Sequence, residues 1–225
     1  MGQRFQIYIR TPKKFYNEGN ANNQPALTIT FHHQWLYGAS AVEMMDWILR
    51  VVDKNRADKY SPLWTPQESV KFLESTCGLL NGWKAERVHV MNEQIKGKYS
   101  TEYKTFDNPD MGDNNDGFMV IDLEDPENVC ASFGSLGSTE GEVSLSRGLY
   151  TPLQYLQSYY PLSKLLKEDN REDATYEDVL LKMEPRGGSD MTEVMDRLSK
   201  VPMVSVERLK KIFPKFNLSV DKEVA

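Results

Sequence analysis

The stretch TITFHHQWLYG, residues 28–38, gathers more chemically capable side chains than any other part of the chain. Two adjacent histidines suggest a metal chelate. Strand geometry argues against it. A strand over 27–35 puts Leu27, Ile29, Phe31, His33 and Trp35 on one face and Thr28, Thr30, His32 and Gln34 on the other. Without a bulge, His32 and His33 cannot reach one ion. His33 falls in the apolar row, where a core-edge histidine with hydrogen-bonded nitrogens is expected. His32, with Gln34 and the two threonine hydroxyls, reads as one wall of a ligand pocket. The third histidine, His89, sits between Val88 and Val90, and no Cys/His spacing of the zinc type occurs. No metal ligand and no cofactor is expected.

The other candidate motifs are incomplete. GDNNDG (112–117) resembles the middle of a calcium loop. With Gly117 aligned on the invariant glycine, Gly112 and Leu123 fall on the first and last ligand positions. Asp122, Glu124 and Asp125 cluster at the end of the run FMVIDL, a place where carboxylates can hold Mg²⁺. GSLGSTEG (134–141) lacks the lysine and the following helix of a phosphate loop, and reads as a hairpin connection between NVCASF and EVSLS. Cys77 and Cys130 suit packing, and no G-x-S-x-G occurs. No catalytic residue is assigned.

The elements that must position these groups follow from periodicity. Phe5, Ile7 and Ile9 alternate with polar residues and predict a first strand over 4–10. A loop leads to the second strand at 27–35. Ser40 with Glu43 predicts a capping box opening a helix whose stripe is Met45, Ile48, Leu49 and Val52. Thr65, Pro66 and Glu68 open a second helix, ended by Asn81-Gly82. RVHVM (87–91) and FMVIDL (118–123) predict strands. From Thr151 the chain turns helical, at 152–169, 176–184, 190–199 and 206–213, with caps at Thr151, Thr175 and Ser189. Met191, Val194, Met195 and Leu198 form one apolar stripe. Arg208, Lys210, Lys211 and Lys215 make the last helix a basic amphipathic one.

Roughly five to seven strands followed by helices argue for α+β, a mixed or antiparallel sheet carrying two inserted helices. The expected division is a core at 1–147 and a helical extension at 148–225 packing on it. The 225 residues, 40% apolar and 27% charged, are ordinary for a soluble globular protein. A net charge of −6 argues against a general nucleic-acid partner. No run approaches about 18 apolar residues, so no membrane span is expected. Two distant cysteines and no secretory pattern point to the cytoplasm.

The opening MGQR (1–4) and the later HHQWLYG (32–38) resemble a group of uncharacterised phage and bacterial proteins. These open M-G-[TQ]-R and carry an R-Q-[FW]-D-G-Y signature after their second strand. Gln34 and Trp35 match the Q-[FW] pair, Leu36 stands in place of the aspartate, and Gly38 comes one residue late. The resemblance covers about the first forty residues. It implies a viral or mobile-element origin, in a host cytoplasm, and no activity.

The residues therefore point to a phage-type accessory protein that binds a partner protein or a small polar ligand through Arg4, His32, Gln34, Trp35 and Tyr37. If the first two strands pair, Arg4 can approach His32 and clamp a carboxylate or phosphate. One rival is a nucleotide-handling hydrolase or transferase using His32 as acid or base with metal-bound Asp113, Asp116 or Asp122. Another is a virion or assembly component, which predicts a defined oligomer and an exposed apolar patch on helix 190–199.

Overall fold

The computed structural model describes residues 4–11, 26, 28–34, 36–57, 79–80, 83–84, 87–91, 117–139, 142–162, 175–185 and 187–213. Two strands open the chain, β1 (Arg4–Arg10) and β2 (Thr28–Gln34), and helix α1 (Gly38–Ala57) follows. Next come the short pair β3 (Leu79–Leu80) and β4 (Trp83–Lys84), then β5 (Arg87–Met91), β6 (Phe118–Asp122), β7 (Cys130–Thr139) and β8 (Glu142–Tyr150). Four helices complete the described chain: α2 (Pro152–Tyr159), α3 (Tyr176–Lys182), α4 (Met191–Leu198) and α5 (Val206–Ile212).

Six strands form one mixed sheet in the order β5-β2-β1-β6-β7-β8. β1 and β6 run parallel at its centre, and the other neighbours are antiparallel. The α+β expectation holds. Alternation divides the sheet into two faces. Phe5, Ile7, Ile9, Ile29, Phe31, Met119, Ile121 and Phe133 lie on the face covered by α1, α2 and α4. Tyr8, Phe118, Val120 and Cys130 lie on the other, against Val204, Leu209, Ile212 and Phe213 at α5. The C-terminal helices therefore clothe both faces. The expected stripe of α1 is buried as read: Met45, Ile48, Leu49 and Val52 all join the main core.

Charged clasps hold these layers. Asp46 of α1 receives a two-pronged bond from Arg197 of α4, at 2.8 and 3.0 Å. One turn earlier, Glu43 accepts the backbone N–H groups of Gly187 and Ser189. On the opposite face Arg208 of α5 donates to the Asn128 carbonyl and to the Cys130 sulfur, and Arg10 bridges Glu124 and the Lys211 carbonyl. Past the end of the β7–β8 pairing, the Ala131 N–H is taken up by the Pro202 carbonyl.

Several sequence expectations need correction. Helix α1 begins at Gly38, so Ser40 lies inside it, and Glu43 reaches the Gly187 loop rather than closing a box with Ser40. The second inserted helix, from Thr65, lies outside the described residues, but its expected last turn does not: Leu79 and Leu80 pair antiparallel with Lys84 and Trp83. Asn81-Gly82 thus separates two short strands, the other meaning of that dipeptide. GSLGSTEG is mostly strand, since β7 runs to Thr139. β8 ends at Tyr150, beyond the expected boundary at 147. The first C-terminal helix stops at Tyr159, and the cap of α4 is Asp190, one residue after Ser189. The boxes at Thr151–Gln154 and Thr175–Asp178 form as read. The apolar patch expected on helix 190–199 is not exposed: Met191, Val194 and Leu198 are buried in the main core.

Candidate functional site

Strand alternation puts a polar row on the α5 side of the sheet, over β1 and β2. Gln6 and Thr30 are 0% exposed, Thr28 3% and His32 4%. The register brings Gln6 directly opposite His32, and Tyr8 opposite Thr30. The Tyr8 hydroxyl donates to the Gln6 carbonyl oxygen Oε1. The amide of Gln6 bonds His32 Nδ1 at 3.1 Å. With Gln6 so oriented, Nδ1 is the acceptor, and the neutral imidazole carries its proton on Nε2. The relay presents His32 as a hydrogen-bond donor. Thr30 Oγ1 has no hydrogen-bond partner among the described residues.

Tyr8 joins this row to the apolar half of the same face. Its ring meets Phe213 edge-on at 4.7 Å and Phe118 at 5.7 Å. Those contacts fix the phenol that orients Gln6. A buried polar chain anchored this way is rigid, and every unmet group in it is costly.

His33 falls on the opposite face, across from Phe5, as alternation requires. The expectation that its nitrogens are hydrogen-bonded is overturned. Neither ring nitrogen has a partner among the described residues, and the residue is 2% exposed. Burial, with a smaller contribution from neighbouring His32, lowers its pKa from 6.5 to about 4.

The five expected ligand residues do not all converge. Arg4 lies opposite Gln34 in the register, so Gln6, not Arg4, is the direct neighbour of His32. Trp35 and the side chains of Arg4 and Gln34 fall outside the described residues. Tyr37 belongs elsewhere. It stacks on Tyr159 at 5.6 Å, in a cluster with Tyr155 and Tyr160 at the start of α1. There the Gly38 N–H donates to the Tyr155 hydroxyl at 3.2 Å, and the Ala39 N–H bonds the Tyr160 oxygen. Tyrosine hydroxyls thus serve the first turn of α1, whose leading N–H groups have no partner within the helix. Burial pushes the Tyr160 and Tyr176 phenols upward, so they remain donors and acceptors at neutral pH.

This arrangement explains Gly38. Its φ is +54°, and a Cβ there would collide with the Tyr160 hydroxyl. Gly38→Ala is expected to lose about 1–2 kcal/mol, from the left-handed backbone and the displaced ring. Urea denaturation measures it, and a loss below about 0.5 kcal/mol, the usual scatter of neutral substitutions, would show that the tyrosines do not hold this turn.

The carboxylates sit apart from His32. Asp122 is two strands away and four residues along the same face, roughly 16 Å by strand spacing and rise. It accepts the Glu124 N–H and faces Arg208 at 3.7 Å. Burial raises its pKa, against the pull of that N–H and of Arg208 and Arg10. A pairing of His32 with metal-bound Asp122 is therefore out of reach, while Asp113 and Asp116 lie outside the described residues. Among the described residues no group of three or more His, Cys, Asp or Glu gathers as a metal site. Burial also raises the Cys130 thiol, so the nearby Arg208 meets a neutral sulfur. No described helix is long and apolar enough to cross a membrane.

Sequence reasoning found His32 but missed Gln6 and Tyr8. Their polar positions on β1 were visible. The register that makes them neighbours of His32 was not. No protein-family model matches the chain, and no curated protein or solved structure matches it.

Proposed function

We propose that this protein acts by binding, and that the Tyr8–Gln6–His32 relay is the binding element for a small polar ligand. The observation that carries it is a fully buried polar row with a set donor direction, on a sheet face where apolar residues would cost less. Between the two kinds of partner, enclosure favours a small ligand. A partner protein would need these groups at the surface, and they are 0–4% exposed. The setting we propose is that of a soluble phage-type accessory protein in a host cytoplasm. It rests on the MGQR and QW resemblance, and on a charge balance unsuited to coating nucleic acid.

The test is a thermal-shift panel of nucleotides, small organic acids, sugars and divalent metals. A ligand at about 100 times its Kd stabilises by about 2.7 kcal/mol, a rise of roughly 5–10 °C for a chain of this length. The expected outcome is at least one such rise in the wild type, lost in His32→Ala and reduced in Gln6→Leu. A panel with no stabiliser, or one whose hits survive both substitutions, sinks the reading.

A further inference from the structure

The chain changes faces between two valines. Val201 packs against the main core on the α1 side of the sheet, and Val204 is buried in the smaller core on the other side. Between them the Pro202 carbonyl accepts the Ala131 N–H of β7. From Val204 to Phe213 the chain is a strap laid over the second face. Its Val204, Leu209, Ile212 and Phe213 supply half of the described buried residues of that smaller core, and none of them belongs to the main one. A segment attached in this way can lift while the rest of the molecule stays folded.

Across β1, β6 and β7 the register sets Arg10, Asp122 and Cys130 in one row, and Tyr8, Val120 and Ser132 in the next row on the same face. The polar fastenings of the strap lie at or beside these rows. Arg208 donates to the Asn128 carbonyl and the Cys130 sulfur, Arg10 donates to the Lys211 carbonyl, and the Val204 N–H bonds the Ser132 hydroxyl oxygen. Phe213 goes to Tyr8. Of the two described rings that meet the Tyr8 ring edge-on, Phe213 is the nearer, at 4.7 Å against 5.7 Å for Phe118. Phe213 also meets Phe118 edge-on, at 6.3 Å.

We propose that Phe213 is a positioning residue for His32, and that docking of the strap is thereby coupled to binding in the polar row. The contacts run in sequence. Phe213 holds the Tyr8 ring, the Tyr8 hydroxyl donates to Gln6 Oε1, and the Gln6 amide is left with its N–H groups toward His32 Nδ1. When the strap lifts, the Tyr8 side chain regains rotamer freedom. Gln6 then loses the hydroxyl that orients its amide, and His32 shares its proton between both ring nitrogens. Coupling of this kind is reciprocal. A ligand that needs the Nε2–H tautomer draws the strap down by the same factor by which the docked strap tightens the ligand. The purpose of the coupling rests on the binding reading above, but its test does not.

The nitrogen NMR spectrum of the histidine rings reads the tautomer without any ligand. It is recorded on the full chain at about pH 8, above the usual imidazole range, and His32→Gln assigns the His32 signals. In the wild type the two His32 nitrogens should lie far apart, one protonated and one bare. Phe213→Ala should draw them together as the second tautomer fills, with His33, on the opposite face, unmoved. Phe213→Leu refills the space and should restore most of the separation. Arg208→Gln loosens the strap away from Tyr8. The Val204 and Leu209 amides should then exchange hydrogen about tenfold faster while those of α1 keep their rates, and the His32 signals should move in the same direction. A Phe213→Ala variant that is less stable but leaves the His32 signals in place makes Phe213 a packing residue only, and overturns the proposal. Should that variant fail to fold, Arg208→Gln decides in its stead: faster exchange of the strap with an unmoved His32 overturns the proposal too. A thermal panel with no stabiliser sinks the binding reading and leaves a coupling that these spectra show standing.

Discussion

Replacing Arg197 with methionine is expected to lower stability by about 3 kcal/mol, the cost of stranding a buried carboxylate. For a chain of this length that is a fall of roughly 6–12 °C in Tm. The reason is an asymmetry in exposure. The Asp46 side chain is 2% exposed, whereas the side chain of Arg197 is 37% exposed and that of Arg50, its other partner, 50%. Arg197 gives Asp46 two bonds and connects α4 to α1, elements far apart in sequence. Arg50 gives one, within α1. Removing Arg197 leaves the charge in the core with Arg50 as its one ion-pair partner among the described residues, and that arginine is half exposed. Asp46→Asn removes the charge itself and frees an arginine that can reach water, so about half the loss is expected. Arg50→Met removes a half-exposed partner and leaves Asp46 both of its bonds from Arg197, so it should cost less, about 1 kcal/mol. The order Arg197→Met, Asp46→Asn, Arg50→Met is the prediction, read from urea melts at pH 7. Equal losses for the two arginine variants would show that Asp46 does not tie α4 to α1.

That clasp also shows where sequence reading stops. Features that depend on a few consecutive residues were legible. The alternation of Phe5, Ile7 and Ile9, and the boxes at Thr151 and Thr175, form as read because their partners lie within one turn or one strand. Glu43 looks like the far end of a capping box and is not one. Its partners, the Gly187 and Ser189 amides, are more than 140 residues away, and tertiary contact overrode the local motif. Leu79 and Leu80 fit an apolar helix face equally well, and only the pairing with Lys84 and Trp83 decides for strand.

The site was half legible for the same reason. Alternation alone separated His32 from His33. It could not say which residue of β1 stands beside His32, because register depends on the connection between the strands. Moving Gln6 rather than Arg4 into that place replaces a proposed ion clamp with a neutral relay that sets a tautomer. On the other side of β2 the register sets position 87 of β5 opposite His32, across a pairing with no local signal. Tyr37 had looked like part of the same cluster. A stack on Tyr159, 122 residues later, takes it to the start of α1.

His33 is expected to withdraw about 3 kcal/mol of stability from the folded chain between pH 6.5 and pH 4. Its pKa is 6.5 in the unfolded chain and about 4 when folded, because burial, and then His32, disfavour the imidazolium. Over that interval the unfolded state binds the proton and the folded state does not, so stability is full above pH 6.5, falls as pH drops, and levels off below about 4. His33→Leu removes the titrating group, and the slope should flatten. It also removes two buried nitrogens that have no partner among the described residues, so stability at pH 7 should rise by about 1–2 kcal/mol. His32→Gln should leave most of the slope, since burial of His33 is the larger cause. Urea melts of the three proteins at pH 7, 5.5 and 4 separate these outcomes. A His33→Leu variant that keeps the wild-type slope, or that is less stable at pH 7, would mean that His33 is satisfied in the folded protein and that the acid sensitivity lies elsewhere. A variant that is more stable yet no longer binds the compounds that stabilise the wild type would give the orphaned histidine a reason: a cost retained beneath His32 because the binding face needs it.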